Sequence, residues 1–105
     1  MRLVGLIGII IVVAAQVAFA ADLEMSYGQL SSGEGIAIQV IGIKNNGAPI
    51  KSVEIECGFF QGTHLLAATN KYADNIASGQ TAYVEVRAYN ANGANRAECR
   101  IVEVR

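Results

Sequence analysis

The sequence predicts a small all-β domain, a sandwich or a barrel, behind a leader for export. Three observations lead there. Apolar and polar residues alternate with a period of two, most cleanly in "SVEIECGFF", which is the pattern of a half-buried strand. Turn residues recur about every 8 to 12 positions, the punctuation of sandwiches and barrels. Proline occurs once, at Pro49, and little of the chain after the leader carries a helical period.

The leader comes first. Arg2 gives a short positive region, and Leu3 to Ala15 form an apolar run of signal-peptide length. Ala18-Phe19-Ala20 then places small residues at the minus-three and minus-one positions. Cleavage is expected after Ala20, so residues 1–20 are a signal peptide and 21–105 a single domain. The rival is an uncleaved anchor, because Leu3 to Ala21 is nearly long enough to span a bilayer. Gln16, the small-residue ending and the single basic residue favour cleavage. No cysteine follows the run, which argues against a lipoprotein. The expected location is the periplasm or the cell exterior, with no membrane span after cleavage.

The strands follow in order. "LEMSYGQL", residues 23–30, is the first. "GIAIQVIGIK", residues 35–44, is rich in isoleucine and valine. Ile36, Ile38 and Val40 point one way, and Ile41 and Ile43 the other. Either both faces are covered, or a bulge near Gly42 switches the inward set, and the bulge is the preferred expectation. "NNGAP" is turn chemistry, through Asn-Gly and through a proline that cannot donate to a ladder. Residues 50–61 form the next strand, with Val53, Ile55, Cys57 and Phe59 on one face. Ser52, Glu54, Glu56 and Gly58 lie on the other face, which Phe60 joins. "QGTH" closes a hairpin into "LLAATNKYA", and residues 73–80 read as a longer connection with Gly79 at positive φ. In "TAYVEVRAY", Ala82, Val84 and Val86 oppose Tyr83, Glu85 and Arg87. "NANGAN" is a polar loop. In the last strand, "RAECRIVEV", Ala97, Cys99 and Ile101 share a face.

Cys57 and Cys99 are the only cysteines. Both sit on the apolar side of their alternations, and an exported chain with two cysteines is read as disulfide-bonded. The expected bond joins the strand of residues 50–61 to the final strand. An inter-sheet bond and a bond between adjacent strands stay equally open, and the rival is two buried thiols. Metal binding has little support, because the spacing is not CxxC and His64 is the sole histidine.

Three stretches in order carry a family resemblance: "VIGIKNNGAPIKSVEIECGFF", "GTHLLAAT" and "ADNIASGQTAYVEV". Over roughly residues 36 to 101 the chain resembles the FxLYD-type domains, small immunoglobulin-like β-sandwiches of exported bacterial proteins. It departs from that pattern at Phe60-Gln61, where the family often has Tyr-Asp. It departs again at Ser78, where a proline often precedes the glycine. The resemblance implies an immunoglobulin-like antiparallel β-sandwich of about six or seven strands. It implies no catalytic residues, since the family carries no catalytic motif.

The charges exclude one class of partner. The leader takes Arg2, and the basic residues that remain are Lys44, Lys51, Lys71, Arg87, Arg96, Arg100 and Arg105. They are scattered among nine acidic ones and form no basic patch, so nucleic acid is not an expected ligand. His64 lies in a turn, with no nucleophile and orienting group beside it in the pattern. Glu54 and Glu56 read as the wet face of a sheet rather than a glycosidase pair. "SSGEG" lacks the ending of a phosphate loop. Aromatic residues are left: Phe60, Tyr83 and Tyr89 fall on outer faces or strand ends, as does Tyr27. The expected function is a non-enzymatic exported interaction module, without a cofactor, that binds a protein or envelope component through a sheet face or edge. The alternative is a carbohydrate-binding module that uses the exposed aromatics, and it needs two or three rings in one plane.

Overall fold

The computed structural model describes residues 22–105. The leader and the expected cleavage point lie outside the described residues. Six strands follow one another: β1 (Leu23–Gly33), β2 (Ile36–Asn45), β3 (Ile50–Gln61), β4 (His64–Ile76), β5 (Thr81–Tyr89) and β6 (Arg96–Val104). Every pairing is antiparallel. Two three-stranded sheets result, ordered β1-β2-β5 and β4-β3-β6. The fold is an immunoglobulin-like β-sandwich. β1, β2 and β5 take the places of strands A, B and E, and β3 and β6 those of C and F. β4 extends the second sheet beside β3, as C′ does. The place of strand G, beside β6, is unfilled among the described residues.

The core is where the two sheets face each other. Val53, Ile55, Cys57 and Phe59 of β3 are fully buried, as the alternation predicts. They meet Ile41, Ile43 and Val86 of the opposite sheet in one cluster. Burying each large apolar side chain contributes about 1.5–3 kcal/mol relative to leaving it in water.

β2 differs from expectation. Its pairing with β5 runs from Ile36↔Tyr89 to Lys44↔Thr81 without a shift, so there is no bulge near Gly42. Ala37, Gln39, Ile41, Ile43 and Asn45 all point inward, and Ile36, Ile38 and Val40 lie half-buried on the outer face. The bulge sits in β1 instead, where Tyr27 pairs with Ile41 but Leu30 with Gln39. Gln39 explains how it is tolerated. Its buried side-chain amide donates to the Gly28 carbonyl at 3.0 Å and to the Val40 carbonyl at 2.9 Å. A carbonyl released from the ladder by the extra residue therefore keeps a partner.

The "NNGAP" turn also works differently. The residues in the left-handed region include Gly35, Gly62, Gly79 and Gly93, but not Gly47. The turn is held by the side chain of Asn45, which is fully buried. Its Nδ2 donates to the carbonyls of Ala48 (2.8 Å) and Ile76 (3.1 Å), while its Oδ1 accepts the Gly47 N–H (2.9 Å). One side chain thus fastens the β2–β3 turn to the end of β4. β4 runs to Ile76, three residues past the expected end, and Ile76 is itself buried. The β4–β5 connection is therefore only residues 77–80, with Gly79 at φ 80° as expected. The "NANGAN" loop is less polar in place than in sequence, because Ala91 and Ala94 are buried against the end of the core.

Candidate functional site

Cys57 and Cys99 are bonded to each other. They are directly opposed residues of neighbouring strands β3 and β6, with Cα atoms 4.0 Å apart. The bond thus joins adjacent strands of one sheet and does not cross between sheets. Cys57 is fully buried, and Cys99 is half-buried against the same core. The local sequence makes this natural, since the inward faces of β3 and β6 place both sulfurs on the core side of one cross-strand pair.

β3 also builds the candidate binding face, on its other side. Its outward residues pair with those of β4 and β6 in register. Glu56 lies between Asn70 and Arg100, Gly58 between Ala68 and Glu98, and Phe60 between Leu65 and Arg96. The missing side chain at Gly58 leaves room for its neighbours. A Cβ built there meets the Phe60 ring at 3.2 Å and Leu65 at 3.3 Å, so both lean over the glycine. Leu65 faces outward because the pairing slips at this point, with Phe59 opposite Ala67 but Phe60 opposite Leu65. Leu66 is the extra residue and packs against the core.

The face is a shallow depression of about 410 Å³ with Phe60, Leu65 and Ala68 as its apolar part. The Arg96 guanidinium lies over the Phe60 ring, 4.3 Å from its centroid, a cation–π contact worth about 0.5–1 kcal/mol at an exposed site. Arg96 also pairs with Glu98 and donates to the Gly62 carbonyl at 2.9 Å, which fixes the guanidinium in place. The rim is charged and already paired. Arg100 donates to Glu56 through Nε (3.0 Å) and Nη2 (2.8 Å).

The aromatic residues singled out in the sequence do not come together. Phe60 lies on the outer face of the β4-β3-β6 sheet. Tyr83 and Tyr89 lie on the outer face of the other sheet, opposite Gly42 and Ile36. They are six positions apart on one strand, about 20 Å by strand rise. The Tyr83 ring covers Gly42, where a built Cβ would meet it at 3.0 Å. No plane therefore contains the three rings. Tyr27 is not an outer-face residue at all. It lies on the inward side of β1, and its hydroxyl accepts the Cys99 N–H at 2.7 Å and donates to the Cys99 carbonyl at 3.2 Å. Pattern alone could not find this contact, because Tyr27 and Cys99 are 72 residues apart.

Glu54 accepts a hydrogen bond from Asn70, 2.6 Å long, and His64 is exposed at the start of β4. Among the described residues no group of three or more His, Cys, Asp or Glu side chains is arranged to hold a metal ion. No helix among them is long and apolar enough to cross a membrane. No family model, no curated protein and no solved structure matches the chain.

Proposed function

We propose that the domain is a non-enzymatic interaction module of an oxidising, exported compartment. It holds a protein or cell-envelope partner on the outer face of the β4-β3-β6 sheet. The observation that carries this reading is the group of Phe60, Leu65 and Arg96. Leu65 remains 52% exposed although it is apolar, and aromatic and arginine side chains are those enriched at binding hot spots. The paired charges of Glu56, Arg100 and Glu98 ring the apolar part, as a polar rim rings an interface core. The disulfide fits export, because such bonds persist outside the reducing cytosol.

The test is capture from an envelope extract by the wild-type chain and by Phe60→Ala, Leu65→Ala and Tyr83→Ala, each checked for an unchanged far-ultraviolet spectrum. A partner identified with the wild type and with Tyr83→Ala should bind the Phe60 and Leu65 variants about thirtyfold more weakly. Capture that depends on Tyr83 and not on Phe60 would move the site to the other sheet. Binding to a glycan array without any protein partner would favour the carbohydrate reading.

A further inference from the structure

The sheet opposite the proposed binding face ends in the free edge of β5. Among the described residues β5 ends its sheet, hydrogen-bonded to β2 on one side and to no strand on the other, where β4 of the facing sheet passes close by. Which of its backbone groups are free follows from the ladder. The Asn45 N–H bonds the Gln80 carbonyl at 2.9 Å, and in an antiparallel pair the bonded and unbonded positions alternate. Ala82, Val84, Val86 and Ala88 thus spend their N–H and C=O groups on β2. Those of Tyr83, Glu85, Arg87 and Tyr89 point away from β2. No hydrogen bond among the described residues reaches them.

This edge is also straight. The other three strands that end a sheet each pair with a register shift, in β1 after Tyr27, in β4 at Leu66 and in β6 at Val102. Such irregularities blunt an edge against pairing with another chain. β5 pairs with β2 without one over its whole length.

The outward side chains of β5 read Tyr83, Glu85, Arg87, Tyr89, which is self-complementary when reversed. We infer that β5 pairs antiparallel with β5 of a second copy of this chain, about a two-fold axis at Val86, and joins the two three-stranded sheets into one of six. In that register Glu85 lies opposite Arg87 of the other copy and Tyr83 opposite Tyr89. Each contact occurs twice, as an isologous interface requires. The same register uses the free backbone groups. The residues with outward N–H and C=O face one another, Val86 meets its own equivalent at a non-bonded position, and roughly eight backbone hydrogen bonds form. Centring the pairing on Glu85 or Arg87 would also match the free groups, but would set like charges directly opposite each other, which is destabilising. The intrastrand contact of Glu85 with Arg87 is 3.4 Å long and exposed, so little is lost when both turn to the second copy.

The test is sedimentation equilibrium on protein purified from expression of the full chain. The wild type is expected to be a concentration-dependent dimer. Arg87→Glu and Glu85→Arg each set like charges across the axis and should weaken the dimer about tenfold or more. Mixing the two single variants should restore association as a heterodimer, because each then meets its complement. The double variant Glu85→Arg/Arg87→Glu reverses the pattern and should dimerise like the wild type. A wild type that stays monomeric into the millimolar range would overturn the inference. So would a dimer indifferent to the single variants, or single variants that do not rescue each other.

Discussion

The free edge of β6 is occupied at its centre, where the Tyr27 hydroxyl takes both the N–H and the carbonyl of Cys99. The free-edge backbone of β5 makes no hydrogen bond to a side chain among the described residues, although β4 passes close to it. β6 is bulged at Val102, which explains why that apolar side chain is 41% exposed, and it is tied to β3 by the disulfide. β5 is unbroken, and what fixes it lies at its start, where Asn45 accepts the Gly79 N–H and bonds the Gln80 carbonyl. Two ways of finishing a sheet thus coexist in one small sandwich. One edge strand is tied to its neighbour by a disulfide and capped on its free side by a tyrosine, and the other is left with a regular row of backbone groups. Natural sheets tend to blunt edges that have no use, and β5 carries no bulge that would do so.

The covalent tie is where the contrast should break most visibly. The double variant Cys57→Ala/Cys99→Ala, or reduction of the wild type, opens a loop with a sequence separation of 42. The chain-entropy model values that loop at about 4 kcal/mol, roughly 15–30 °C in melting temperature for a domain of this size. The entropy gained by the unfolded chain lowers the stability of both sheets alike, but β6 also loses its covalent tie to β3 and should open locally. Hydrogen exchange after reduction should therefore accelerate in both sheets, and more in β6 than in β2. Equal acceleration would mean that β6 opens only with the whole sandwich and that the two edges do not differ in this respect.

Asn45→Asp addresses the β5 side. A carboxylate cannot donate to the carbonyls of Ala48 and Ile76, and it buries a charge among acceptors. The expected cost is about 3 kcal/mol in denaturant unfolding, with the β4–β5 connection becoming sensitive to proteolysis. A cost below about 1 kcal/mol would show that the turn is held by its backbone alone.

Tyr27→Phe is the smallest of the three changes. It removes one hydroxyl and two hydrogen bonds at a half-exposed site, where water replaces part of what is lost. The expected destabilisation is about 1 kcal/mol, together with faster exchange of the Cys99 amide. If the Cys99 amide exchanges no faster in the variant, the β6 edge is not guarded by Tyr27, and the difference between the edges reduces to the bulge and the disulfide.

Local patterning determined much of this protein. The period-two alternation placed β3, β5 and β6 at their observed bounds and turned Cys57 and Cys99 inward. Those features depend on which residues of one strand share a face, and that is set by backbone geometry within the strand. The positive φ at Gly79 was legible for a similar reason, since the conformation belongs to a single residue. The tertiary structure decided what depends on a neighbour distant in sequence. Ile36, Ile38 and Val40 suggested a bulge in β2, but pairing with β5 kept that strand regular and moved the bulge to β1, where Gln39 satisfies it. Asn45 read as a turn residue and proved to be a buried tie, because the end of β4 comes to lie beside it. Phe60 was correctly assigned to the outer face, yet its companions Leu65 and Arg96 come from two other strands, and Leu65 reaches it only through a slip in register. The choice between an inter-sheet and an intra-sheet disulfide could not be made from inward-facing cysteines. It depends on which strands become neighbours, and strand order is settled by the packing of the two sheets rather than by any one strand.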